Sequence, residues 1–269
     1  MRDMFRTTRA SLLAVSLLLA SFGCGGGGGD DPDAGAADAT AAVDATDLDA
    51  PRAVDAVDAP TCATPALGTA AGTLVVTSAA ALTVDCLRVV GFDDIDTAAE
   101  AEVAFEPDRY LALGIRIAGE DGQYADETFG YPADFIPTSA PNSYAPGPAV
   151  ANDSAAGSGG NTTTITFEAG GAPANVAAFG ASFIDADIPA EAITRVEAFD
   201  AADLSLGFDE PSSASGTSTF RGLVAVDGGG APVTAIAKVV ITTGAGWPNV
   251  ALNEGVTLDD FTFAPPLAR

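Results

Sequence analysis

The sequence predicts an all-β protein, a single antiparallel β-sandwich of jelly-roll type that follows a disordered acidic linker. Over short stretches such as residues 111–117, 220–226 and 258–263, apolar side chains alternate with polar or small ones. This period of two is typical of strands with one buried face. Clusters of Gly, Pro, Asp and Ser separate the stretches, as turns do in a sandwich. The best helical alternative is Asp96–Ala104, a short Ala- and Glu-rich stretch.

About ten strands are expected within a domain that spans residues 61–269. A chain of this length is sufficient for the core of one sandwich. The strands are predicted at residues 73–77, 82–90, 103–106, 111–117, 164–167, 176–184, 194–199, 220–226, 234–242 and 258–263.

The N-terminus, residues 1–23, is predicted to be a signal peptide of the lipoprotein type. Three arginines precede the apolar stretch Ala10–Phe22, which is shorter than the roughly 20 residues that a membrane-spanning helix needs. Ser21-Phe22-Gly23-Cys24 resembles the lipobox of bacterial lipoproteins, which implies that Cys24 carries a lipid. The alternative is an ordinary signal peptide that leaves Cys24 as a free thiol.

Residues 24–60 are predicted to be a disordered tether. A run of five glycines opens the segment, and nine aspartates against a single arginine follow within Asp30–Pro60. The tether has no aromatic residue and offers little apolar surface to offset the entropy of ordering. Its like charges are expected to extend it.

Cys62 and Cys86 are the two remaining cysteines. Thiols close in sequence commonly pair in the oxidising compartment of an exported domain, so a disulfide is expected. By the chain-entropy argument it would contribute on the order of 3 kcal/mol to stability. The alternative is a pair of buried free thiols.

Composition excludes several classes of function. The chain has no histidine, which removes Ser-His-Asp and Cys-His catalysis and histidine-ligated metals. Its formal net charge of −26 argues against nucleic acid as a partner, because phosphate binding needs clustered Lys and Arg.

A series of short motifs in fixed order resembles the β-sandwich domain of bacterial exoproteins that carry a PEP-CTERM sorting tail. That family resembles galactose-binding-like and carbohydrate-binding-module jelly rolls, and it implies extracellular binding or structure. In this chain the tether would replace the sorting tail. The motifs lie at residues 90–94, 110–115, 161–167, 176–180, 196–201, 220–223 and 258–263.

Two acidic pairs, Asp93-Asp94 and Asp259-Asp260, are candidates for a structural calcium site. The first and last strands of a jelly roll are often neighbours, so the pairs are expected to converge, and calcium takes several oxygen ligands. Alternation sends Asp259 and Asp260 to opposite faces of a strand unless a bulge intervenes. The alternative is solvated surface charge, since aspartates are abundant throughout this chain.

The candidate ligand-binding residues are aromatic: Tyr124, Tyr131, Tyr144 and Trp247. The three tyrosines lie in a long stretch, residues 118–160, which is expected to be a loop with a function. Tyrosine and tryptophan combine a flat apolar face with a polar tip, which suits binding to sugars or proteins. The alternative is that these side chains only pin the loop to the sandwich.

These features predict a lipid-anchored protein of the cell envelope, at the outer membrane or cell surface. Its sandwich is expected to act in binding or adhesion without catalysis, with a carbohydrate or a surface protein as partner. Apart from possible structural calcium, no cofactor is expected. The alternatives are a hydrolase that acts on a glycan through paired carboxylates and a purely structural surface protein.

Overall fold

The computed structural model describes residues 62–95, 102–119, 122–126, 136–146, 161–186, 193–214, 216–245 and 256–269. All of them belong to one compact unit that begins at Asp58. The predicted signal peptide and tether lie outside the described residues, as do Cys24, Tyr131 and Trp247. Among the described residues, no helix is long and apolar enough to cross a membrane.

The described residues form fifteen strands and two short 3-10 turns, without an α-helix. The 3-10 turns lie at Ala79–Leu82 and Leu111–Leu113. The strands are β1 (Gly72–Val76), β2 (Arg88–Val90), β3 (Glu102–Ala104), β4 (Ile115–Gly119), β5 (Gln123–Asp126), β6 (Asn142–Ala145), β7 (Asn161–Ala169), β8 (Ala172–Asn175), β9 (Ala178–Ile184), β10 (Ile193–Phe199), β11 (Ser205–Asp209), β12 (Ser218–Val226), β13 (Lys238–Ala245), β14 (Thr257–Phe263) and β15 (Leu267–Ala268).

Two antiparallel sheets pack face to face, so the predicted all-β sandwich is confirmed. Within the described residues, sheet A has the order β1-β12-β9-β14-β6-β5-β3, with β2 also paired to β14. Sheet B has the order β11-β10-β13-β7-β8-β15, with β4 also paired to β7. Phe167 of sheet B contacts Phe179 and Phe263 of sheet A at ring-centroid distances of 6.4 and 5.9 Å. The core therefore lies between the sheets, where burial of apolar area stabilises the fold.

The early strand β2 lies beside the last long strand, β14. Val90 pairs with Phe261, and Val89 pairs with Thr262. On the other side of β14, the register with β9 shifts between Asp259 and Thr262. This shift is a β-bulge, and Asp260 within it has a φ of +48°. The arrangement brings the residues after β2 next to the bulge.

Two of the predicted strands are wrong over part of their length. Residues 82–90 are a strand only at their end, and the segment begins in a 3-10 turn whose Leu82 is fully buried. The alternating residues 111–117 form a 3-10 turn before β4 begins at Ile115. Gly114 separates the two parts with a φ of +84°, and a Cβ there would lie 2.7 Å from the Glu168 carbonyl oxygen. Only glycine meets both conditions without strain.

The stretch 118–160, predicted to be a loop, contains strands in its described part. Strands β5 and β6 pair in register, with Tyr124 opposite Tyr144. Strand β3 pairs with β5 and extends sheet A by a further strand. The helical alternative at Asp96–Ala104 is wrong at its end, where Glu102–Ala104 is β3, in line with the strand predicted at residues 103–106. Residues 96–101 lie outside the described residues.

Cys62 and Cys86 form a disulfide, as predicted, with a Cα–Cα distance of 5.7 Å. The bond encloses β1 and the first 3-10 turn, and it ends two residues before β2. The Thr234 hydroxyl donates a hydrogen bond to the Pro65 carbonyl, close to Cys62 in sequence. The start of the described chain is thus held by covalent and polar contacts to the sandwich.

Candidate functional site

The two described tyrosines of the candidate ligand site, Tyr124 and Tyr144, are fully buried. Their rings pack with Phe92 at centroid distances of 6.4 and 5.7 Å. Thr163 donates a hydrogen bond of 3.2 Å to the Tyr144 hydroxyl, and burial raises the pKa of Tyr144 to about 12. Neither ring presents a face to a ligand in this structure. The other two candidates, Tyr131 and Trp247, lie outside the described residues.

Asp94, the second residue of the first acidic pair, forms a salt bridge with Arg109. Arg109 Nε donates a hydrogen bond of 2.8 Å to its carboxylate, and the Tyr110 hydroxyl donates one of 2.6 Å. Burial raises the pKa of Asp94, but these hydrogen bonds and the charge of Arg109 outweigh it, so the pKa is lowered overall. Both carboxylate oxygens of Asp94 thus have donors within the protein.

Asp259 is fully buried and is held by neutral donors. Its Oδ2 accepts hydrogen bonds of 2.8 Å from the Ser139 backbone N–H and from the Thr138 hydroxyl. Its Oδ1 accepts one of 2.7 Å from the Asp260 backbone N–H. Burial raises the pKa of Asp259 to about 6, and the neighbouring Asp260 charge acts in the same direction against the lowering effect of the hydrogen bonds.

The bulge directs both aspartates of the second pair to one hydroxyl group. Thr138 Oγ1 lies 2.8 Å from Asp259 Oδ2 and also 2.8 Å from Asp260 Oδ2. The two carboxyl groups therefore share a neighbour, although simple alternation would place them on opposite faces. Sequence reasoning allowed for a bulge but missed Thr138 and Ser139, because both lie in the stretch predicted to be a loop.

Asp93 approaches the second pair from the end of β2. A Cβ placed on Gly91 would lie 3.0 Å from Asp93 Oδ2 and 3.8 Å from Asp260 Oδ1. Asp93 also accepts a hydrogen bond of 3.1 Å from the Asn142 backbone N–H. Asp93 and Asp260 thus lie next to Gly91. The Ser139 hydroxyl connects Asp259 to the same glycine. Within the described ranges, however, no group of three or more acidic or cysteine side chains has the geometry to hold a metal ion.

A groove crosses the outer face of sheet A beside this cluster. Its volume is about 440 Å³, and both apolar and polar side chains line it. Strand pairing explains the location: Phe220 pairs with Ser182, and Val89 with Thr262. Since Phe179 and Phe263 face the core, the alternating positions 180, 182 and 262 face outward. The lining consists of Thr77, Ser78, Ala79, Val89, Ser182, Phe220, Asp260 and Thr262.

The chain has a distant structural likeness to a known protein domain. No protein-family model and no curated protein matches the chain. Among solved structures, the chain is similar to the K2 cleaved adhesin domain of Lys-gingipain, at 9% sequence identity and a TM-score of 0.34. The match covers 66% of this chain and 98% of that chain. A likeness at this level carries no argument about function.

Proposed function

We propose that the chain is an exported, lipid-anchored protein that presents its β-sandwich for binding or adhesion at the outer membrane or cell surface. The Cys62–Cys86 disulfide carries the proposal, because such bonds persist in oxidising compartments outside the cytoplasm. The apolar N-terminal stretch, Gly23-Cys24 and the acidic tether support a lipid on Cys24 and a flexible connection to the domain.

Binding without catalysis is supported by the location of the acidic groups. Asp259 has the raised pKa that a general acid requires, yet its side chain is fully buried and does not reach a substrate. The groove beside it is open on the outer face of sheet A and offers a surface for a carbohydrate or a surface protein.

Membrane fractionation tests the anchor. The Cys24→Ala variant is expected to move from the detergent-dependent membrane fraction to the soluble exported fraction. The matched control is the Cys62→Ser/Cys86→Ser double variant, which keeps Cys24 and should stay with the membrane. Membrane association of Cys24→Ala equal to that of the natural protein would contradict the lipid anchor.

Asp93, Asp259 and Asp260 do not form a ready-made metal site among the described residues. We propose further that added calcium draws these three side chains together, while Arg109 and Tyr110 occupy Asp94. Binding to the folded state alone would stabilise the domain by roughly 2.7 kcal/mol at a hundredfold excess over the dissociation constant. The measurement is a thermal melt in EDTA and then in millimolar calcium at constant ionic strength. An unchanged midpoint, or an equal shift with magnesium, would refute this site.

A further inference from the structure

We propose that the groove on the outer face of sheet A binds a neutral hexose unit of a polysaccharide. This inference rests on the proposed binding function and specifies its site and ligand class. The two described aromatic candidates, Tyr124 and Tyr144, do not line this groove and are buried in the core. The groove has a volume of about 440 Å³, which lies within the range of small-molecule sites.

The apolar wall of the groove is built by Phe220 and Val89. Phe220 extends across strand β9, where a Cβ on Gly180 would overlap Phe220 Cζ and lie 2.9 Å from Cε1. Glycine at 180 thus allows the ring to lie low over the sheet. Val89 is 54% exposed on the paired strand β2. Together they offer an apolar surface to the C–H face of a pyranose ring.

The polar wall carries hydroxyl groups that a ligand can reach. Ser182 is 7% exposed as a residue and lines the groove. Its hydroxyl is not one of the buried polar atoms that lack a partner among the described residues, so it contributes as a groove-lining donor and acceptor. Thr77 and Ser78 on the facing wall add two further hydroxyl groups.

Asp260 determines which ligand charge the groove favours. Only its Oδ2 has a hydrogen-bond partner among the described residues, the Thr138 hydroxyl, and Oδ1 remains able to accept. A carboxylate oxygen forms strong hydrogen bonds with sugar hydroxyl groups. It also repels anionic sugars, as does the formal net charge of −26 of the chain. The arrangement therefore favours a neutral hexose over a uronic acid.

Titration calorimetry of the full chain tests the site with defined probes: cellohexaose, maltohexaose, β-1,4-mannohexaose and the anionic hexagalacturonate. We expect at least one neutral hexaose to bind and hexagalacturonate to bind at least tenfold more weakly. Phe220→Ala and Asp260→Asn should each weaken binding about tenfold, and Ser182→Ala should weaken it severalfold. The thermal midpoint of Ser182→Ala is measured alongside, so that a loss of binding can be separated from a loss of stability.

Matched controls are Phe208→Ala and Asp108→Asn, which alter an exposed aromatic ring and an exposed carboxylate outside the groove. They should bind as the natural protein does. Equal binding by all three groove variants would overturn the inference and leave a binding function at another site. Failure of every neutral hexaose to bind, or a preference for hexagalacturonate, would also overturn it, while Cys24 fractionation still tests the anchored protein independently.

Discussion

Asp94 and Asp259 each belong to an adjacent acidic pair, and the fold gives them opposite environments. Asp94 has a side chain that is 46% exposed and pairs with Arg109. Asp259 is fully buried, accepts hydrogen bonds from neutral groups and has Asp260 as its charged neighbour. The pKa is lowered at Asp94 and raised at Asp259. Burial raises the pKa at Asp259, whereas at Asp94 the hydrogen bonds from Tyr110 and Arg109 and the charge of Arg109 outweigh burial and lower the pKa. The local environment thus decides which carboxylate is stabilised in its charged form.

The geometry around Thr138 agrees with a proton on the second pair. One hydroxyl group has one hydrogen, yet Thr138 Oγ1 lies 2.8 Å from an oxygen of both Asp259 and Asp260. A proton on one carboxyl group supplies the second hydrogen bond. Asp94 needs no such proton, because Arg109 and Tyr110 donate to it directly.

The largest expected effect is a loss of stability as the pH rises past the pKa of Asp259. Its folded pKa of about 6 lies above the ordinary value of 3.8, so the folded state binds more protons between these values. This contribution is complete below about pH 4 and lost above about pH 6, and it amounts to about 3 kcal/mol. Urea unfolding of the natural protein and of Asp259→Asn should show their difference changing by this amount between pH 4 and 7. Parallel pH profiles would contradict the raised pKa.

A smaller effect is expected from Thr138→Val, which keeps the shape of the side chain but removes the shared hydroxyl group. Asp259 Oδ2 would keep the hydrogen bonds from the Ser139 backbone N–H and the Ser139 hydroxyl and lose the one from Thr138. Leaving a buried carboxyl oxygen with one donor fewer should cost about 1–3 kcal/mol in the free energy of unfolding. The cost should be greater at pH 7 than at pH 4. Thr219→Val, whose hydroxyl accepts from Arg221, is a control outside the cluster. Equal losses in the two variants would contradict a special role for Thr138.

The smallest effect is expected from Arg109→Gln, which removes the cation from Asp94. The pair is partly exposed, so solvent screens it and the loss should be below about 1 kcal/mol at pH 7. Because the pKa of Asp94 is lowered, its contribution is present at neutral pH and disappears as the pH falls through that pKa. The variant and the natural protein should therefore converge in acid, opposite to the behaviour of Asp259. A difference that grows below pH 4 would refute this assignment.

The strands that sequence reasoning placed well are those whose pattern is local. Residues 164–167, 220–226 and 258–263 lie within β7, β12 and β14. The disulfide could also be predicted, because two cysteines close in sequence follow a predicted export signal. Strands β5 and β6 were missed, since their stability depends on the Tyr124–Tyr144 pairing and the aromatic core, which no local pattern encodes.

The candidate site was predictable only in part, for a similar reason. The approach of Asp93 to the Asp259-Asp260 pair follows from the pairing of β2 with β14, which jelly-roll topology suggested. The bulge at Asp260 gives no sequence signal, because aspartate is common throughout the chain. The groove depends on Gly180, Ser182 and Phe220, which the sequence presents as ordinary strand residues.

The disulfide has a mechanical consequence for a domain held by its N-terminus. A pulling force that enters at Cys62 passes through the sulfur atoms to Cys86, bypassing the enclosed residues 63–85. The edge strand β1 therefore cannot be peeled from β12 as the first step of unravelling. The force reaches β2 instead, which pairs with β14 beside the core strand β9. After reduction of this one bond, the force would act first on the edge strand β1, and the domain would extend at a lower force.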